Sequence, residues 1–484
     1  MSRNPLKQLA GETAIYGLST VLARMINFFF VPLYTRVLST SQYGTVAEFM
    51  AYIAILQVVL SMGLETGCFR FANKHHRPHQ VFSSALSTVL VISLFTLGIS
   101  ILFARPAAVA LGYAGYANCI VYIGAILAID NFTSILFAKL RFEHKAFTFA
   151  VFKTVKILGE LLCNLGLFLW LPAYVLRRPH FWMLRFVSAT PDFSYVLLAV
   201  LLSCILLLLL FIPQLIRTKS FGLYPKLWQK MMVYSLPLML AGLPGILNDF
   251  IDRLLFRFLM PPDKVWQSEL GLFQAGVKLA VLMNLFIQMF RFAAEPFFFA
   301  QAKEERSKEL YAKVFNYFTA FCVAIFLGVL LYIDVIELML GRDFRAGLSV
   351  VPVMLLAYML LGMSFNISIW YKLAEKTSYA LFITCAGLLV TVVANLLWMP
   401  RFGYMAAAWA HLLSYAVMLS VNIVLGQKHY PVPYNWKRVG GYLSTGLLIW
   451  AATLILPSLP LCAKLFVHTL LICGYVVFVW QSEK

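Results

Sequence analysis

Apolar runs of about twenty residues follow one another along almost the whole chain, parted by short clusters of charge, proline or glycine. Such a run matches the ~20 residues a helix needs to cross a hydrocarbon core of about 30 Å. The pattern predicts an all-α polytopic membrane protein of about fourteen spans. They fall near 13–37, 43–67, 81–104, 113–137, 147–171, 193–215, 231–259, 269–290, 311–333, 348–371, 378–399, 403–425, 439–457 and 461–481. Composition agrees: 62% of the 484 residues are hydrophobic and 12% charged, which excludes a water-soluble domain.

The cations test the span count independently. With both termini cytoplasmic, 23 of the 39 Lys and Arg residues lie on inner loops and ends, 11 on outer loops and 5 inside spans. That excess inside follows the positive-inside rule and supports an even number of spans. One loop dissents: Leu171 to Asp192 is expected outside yet carries Arg177, Arg178 and Arg185. The net charge of +19 is distributed loop by loop, so it points to anionic lipid head groups and not to nucleic acid. The first span is too long for a cleavable signal and reads as an uncleaved helix. The eight cysteines lie in or at the edges of spans without CxxC spacing and read as packing residues. His75, His76 and His79 share a short inner loop with Arg77 and no nearby acid or Cys, which suits a solvated loop better than a metal site. No GxxxxGK[ST], GxGxxG or HExxH motif occurs, so nucleotide-driven pumping, enzyme chemistry and a bound metal are not expected.

Charges inside the spans carry more information. Arg24 sits in the middle of the stretch from Thr13 to Val37. At the bilayer centre its cost runs from about 2.5 to 17 kcal/mol, so such residues usually face a bundle interior or a wet cavity. Thr13, Gly17, Thr20, Arg24 and Asn27 form one stripe opposite Phe28, Phe29 and Phe30. In span five, Lys153, Lys156 and Glu160 share a face. Counting inward at about 1.5 Å per residue sets Asp130 of span four level with Lys153, which predicts a pair and makes a structural ion pair the competing role for this group. Span seven contains Pro237, Gly242, Pro244 and Gly245, which should interrupt and kink it. Beyond them Asp249, Arg253 and Arg257 form an i, i+4, i+8 stripe with Asp252 beside it, and span eight continues with Gln274, Lys278 and Gln288. Five cations (Arg24, Lys153, Lys156, Arg253, Lys278) and four acids (Asp130, Glu160, Asp249, Asp252) make up this embedded set.

Spans one and seven each open a block of six, run from inside to outside, carry an embedded Arg and precede a glycine opening the next span, Gly44 or Gly271. Two lobes of like orientation imply a parallel repeat with the substrate path between them. The expected divisions are 1–217, 218–428 and an appended pair of spans in 429–484, nearly chargeless and suited to lipid contact.

The stretch GETAIYGLSTVLARMINFFFVPLYTRVLSTSQYG, Gly11 to Gly44, together with two six-span lobes and two added helices, resembles the oligosaccharide flippases of the multidrug/oligosaccharidyl-lipid/polysaccharide exporter superfamily. The resemblance implies an exporter in the bacterial inner membrane that carries undecaprenyl-pyrophosphate-linked O-antigen or capsule repeat units to the outer leaflet. It implies a V-shaped cavity between lobes for pyrophosphate and sugars, and a groove at spans thirteen and fourteen for the lipid tail. The lipid II flippases, a sister branch, place an arginine of span one in this cavity, and Arg24 is the matching residue. The expected state is a monomer in contact with membrane lipids, with a polysaccharide polymerase as candidate partner.

A pyrophosphate leaving water needs cations, and the planar Arg fork binds phosphate oxygens with charge-assisted bonds. Arg24, Asn27, Arg253, Arg257, Lys278, Lys153 and Lys156 are therefore the candidate substrate ligands. Asp130, Glu160, Asp249 and Asp252 either pair these cations or carry a coupling proton or sodium ion. Pro237 and Pro244 are the candidate hinge. The rivals are a cation-coupled multidrug antiporter of the same superfamily, a lipid II flippase, and a membrane glycosyltransferase or polymerase. An antiporter favours twelve spans and an acid surplus, and an enzyme needs a large outer loop or acidic motif.

Overall fold

The computed structural model describes residues 25–26, 28–74, 77–177, 190–217, 221–301, 304, 306–455 and 460–483, and every regular element among them is helical. Thirteen helical stretches among these residues are long and apolar enough to cross a membrane. They coincide with the second to fourteenth expected spans, and the first, 13–37, lies mostly outside the described residues. The protein is an all-α polytopic membrane protein. Its helices pack into two compact units, one of Val37–Leu254 with the described residues before Val31, the other of Val31–Arg36 with Leu255–Lys484.

In the first unit, α1 (Thr40–Ser61) starts on a capping box in which the Ser39 hydroxyl accepts from the Gln42 N–H at 3.2 Å. The Gln42 side chain answers by accepting the Ser39 N–H at 3.3 Å. The helix stops at Met62 and Gly63, both with positive φ (48° and 66°), and α2 (Leu64–Lys74) resumes. A Cβ at Gly63 would stand 2.5 Å from the Ser235 carbonyl oxygen, so this joint lies directly against another helix. Next come α3 (Pro78–Leu102), α4 (Ala117–Phe142), α5 (Ala146–Leu165) and α6 (Phe193–Arg217). Ser93 of α3 donates to the Ala128 carbonyl of α4 at 2.8 Å, one way a membrane helix pair is joined without a hydrophobic drive. Phe211 is fully buried, met edge-on by Phe137 at 5.2 Å and Phe152 at 4.9 Å.

The seventh span, α7, runs unbroken from Pro225 to Leu259 with Pro237 and Pro244 inside it. The expected interruption is therefore absent. A proline removes one N–H and crowds one carbonyl, and the ladder on both sides stays closed because hydrocarbon offers no water to any further freed group.

The second unit holds α8 (Trp266–Gln301), α9 (Ser307–Leu331), α10 (Val350–Ile367), α11 (Ile369–Leu373), α12 (Ser378–Phe402), α13 (Tyr404–His429), α14 (Trp436–Ile455) and α15 (Leu461–Glu483). Gly362 lets α10 close onto Ile287 of α8 and Phe318 of α9. Asn422 of α13 accepts from the Trp370 indole at 2.7 Å and donates to the Ser364 carbonyl at 2.7 Å, tying three helices with one amide. Between α13 and α14, burial and then Tyr430 push the Tyr434 phenol above its ordinary range, so it packs as a neutral ring against Phe315 and Trp436.

The last two helices dock on α9. Gly446 of α14 meets Val323, and Trp450 stands edge-on to Phe326 at 5.8 Å. From α15, His468 bonds the Leu331 carbonyl and Tyr475 donates to the Ala320 carbonyl at 3.1 Å. Lys464 pairs with Asp334. Only 11% of the apolar window of α15 is buried, against 67% for α9, which leaves α15 facing lipid.

Candidate functional site

Arg24 and Asn27 lie outside the described residues, as do His75 and His76 of the inner-loop cluster. The remaining candidates fall into separate groups.

In the first unit, Asp130 of α4 pairs with Lys156 of α5 at 2.6 Å and also accepts from the Cys204 thiol of α6 at 3.3 Å. The partner is thus Lys156, one turn beyond the expected Lys153. Depth counting assumes parallel upright helices, and a modest tilt shifts the level by a turn, about 5 Å. Lys153 instead lies over the Phe149 ring at 5.1 Å, and the backbone carbonyl of Glu160 accepts from Asn164. On α7, Asp252 is fully buried while Asp249 is exposed, and Arg253 packs its guanidinium 4.4 Å over Phe250. The packing division between the units falls just after Arg253. Arg257 lies in the second unit, 4.7 Å over the Trp266 ring.

The embedded set read from the sequence omits Glu48 of α1. Its side chain is fully buried, accepting from the Tyr113 hydroxyl at 2.7 Å and the Tyr52 hydroxyl at 3.2 Å. Tyr52 stands one turn away and was legible, but Tyr113 comes from 65 residues along the chain and leaves no local signal.

The longest polar track belongs to α8. This helix begins at Trp266 and continues to Gln301, so Arg291 and Glu295, expected on an inner loop, are on the helix itself. Gln274, Lys278, Asn284, Gln288, Arg291 and Glu295 then follow at helical spacings on one broad face. From Gln274 to Glu295 the rise is about 31 Å, the full thickness of a hydrocarbon core. Each of these residues keeps partial exposure, whereas Phe273, Ala275, Ala280 and Met283 of the same helix are fully buried. Gln288 donates to the Asn284 side chain at 3.2 Å, and the side-chain amide oxygen of Gln274 is buried with no partner among the described residues. A face of this kind offers polar groups at successive depths with a cation toward each end, which suits a polar head group leaving water.

Comparison with known proteins follows the same line. A family model described as polysaccharide biosynthesis protein matches residues 9–300. Among solved structures, the chain is similar to a lipid II flippase, MurJ, in an inward closed conformation, with TM-score 0.72 and 11% identity, covering 96% of this chain and 98% of that one. It is also similar to an inward-facing multidrug resistance MATE family transporter of the MOP superfamily, with TM-score 0.59, 14% identity and coverage of 92% and 96%. A mutant of the Vibrio cholerae MATE transporter VcmN gives TM-score 0.58 at 13% identity, with 87% and 96% covered. At these identities the likeness is one of fold. No curated protein sequence matches.

Proposed function

The chain belongs to the polysaccharide biosynthesis protein family, and on that premise we propose that it is an exporter of lipid-linked oligosaccharide repeat units. Its fold is that of MOP-superfamily flippases and transporters. In this reading an undecaprenyl-pyrophosphate carrier enters from the cytoplasmic leaflet of a bacterial inner membrane, and its head group crosses by alternating access. The observation that carries the reading is the polar track of α8, which spans the hydrocarbon thickness and carries Lys278 about 6 Å inside its Gln274 end. Lys278 is the ligand proposed from the second unit, and Arg24 the one from the first span. Cation donors suit pyrophosphate because the bonds they make to its oxygens are charge-assisted.

The same reading assigns both termini to the cytoplasm and divides the chain functionally at 1–217, 218–428 and 429–484. Arg253 and Arg257 serve it as further cation ligands, and Pro237 and Pro244 as the place where α7 bends during cycling. The Asp130–Lys156 pair fits a structural tie as well as an ion-coupling element, and a proton or sodium gradient is the proposed drive.

Arg24→Ala tests it. In a strain lacking the chromosomal gene, the wild type restores surface glycan and the variant abolishes it while inserting into the membrane normally. Normal surface glycan with Arg24→Ala would sink the assignment, and drug tolerance without glycan would move it to the antiporter class.

A further inference from the structure

The polar track of α8 does not end in solvent. Its last two members line a partly open cleft in the second unit, bounded by the ends of α10 and α11. Arg291, Glu295, Asn366, Ser368 and Lys372 supply its polar groups, and Phe290, Phe298 and Phe365 are among its apolar walls.

Three features define what the cleft accepts. Lys372 is held by Glu295 at 2.5 Å, so one cation and the single acid are already matched. Arg291, one turn before Glu295, has no carboxylate partner among the described residues and stacks its guanidinium 4.9 Å over Phe365. Asn366 is only 5% exposed, yet its Nδ2 has no acceptor among the described residues. The lining therefore carries one net positive charge and an orphan amide donor, a set that favours an anion over a cation. An oxyanion supplies what is missing: the Arg fork binds paired phosphate oxygens, and the amide N–H donates to a third.

We infer that this cleft is a phosphate-ester subsite, in which Arg291 and Asn366 hold the phosphate and the Glu295–Lys372 pair forms its rim. It rests on the export reading only for the expectation that the phosphate belongs to a lipid-linked diphosphate, delivered there to the start of the track. The same chemistry would admit the head group of a bulk anionic phospholipid.

Native mass spectrometry of the purified full chain tests it with two probes, farnesyl diphosphate and phosphatidylglycerol. Arg291→Gln is expected to weaken farnesyl diphosphate binding about 10-fold to 100-fold, the loss of one charge-assisted bond pair. Asn366→Leu is expected to weaken it about 10-fold with an unchanged or raised melting temperature, because it removes an orphan donor and not a bond. Loss confined to farnesyl diphosphate identifies the lipid-linked source; equal loss of both probes identifies the bulk head group at the same subsite. Wild-type affinity for both probes in both variants overturns the inference. Surface glycan restored by the wild type judges the export reading separately, so either can fall alone.

Discussion

Two helices of the second unit, α8 and α15, are both long and apolar, and they use their polar residues in opposite ways. On α15 the two buried polar groups are consumed by carbonyls of α9, His468 by that of Leu331 and Tyr475 by that of Ala320. On α8 they stay accessible along a continuous face from Gln274 to Glu295. A polar side chain in a membrane helix is an anchor when its partner is a neighbour's backbone, and part of a route when it is left reachable at successive depths. The lesson separates residues that hydropathy alone would treat as equal.

The sharpest way to break the contrast is to remove the lysine embedded in the track. Lys278→Ala is expected to lower export by about 10-fold to 100-fold, measured as glycan flux into the outer leaflet of proteoliposomes, with folding unchanged. Near wild-type flux would show that the α8 face is no route. On the anchoring side, His468→Leu leaves the Leu331 carbonyl buried without its donor. It should cost about 1–3 kcal/mol of stability, seen as a lower unfolding temperature in detergent, while flux is kept. The smallest effect belongs to Leu470, which is 55% exposed. Leu470→Ile should stay within about 0.5 kcal/mol of wild type in the same melt, and a larger drop would mean that α15 has a protein partner on its outer face.

The spans were legible because hydrocarbon thickness dictates helix length, and the thirteen described ones lie where the apolar runs put them. Ends and partners were not. Charge marks the membrane edge near Arg291, but a helix with closed hydrogen bonds has no reason to stop there, and α8 continues to Gln301. Lys156 and not Lys153 stands beside Asp130, because which turn of one helix meets which turn of the next is set by packing geometry that the sequence does not carry. Asn366 leaves no signal in the apolar run that holds it, and only the fold shows it lining a cleft with an unpartnered amide nitrogen. Prolines in α7 were read as interruptions, yet the cost of opening a ladder in lipid keeps that helix whole.

Gly63 sets a different kind of limit, on what this chain can become. Its φ of +66° and its contact with the Ser235 carbonyl leave no room for a β-carbon. A lineage carrying this fold can exchange most of its lipid-facing leucines freely, but a mutation at codon 63 has no viable neighbour unless α7 retreats at the same time. Because the contact is with backbone, no side-chain change at 235 relieves it, and only a shift of the whole helix does.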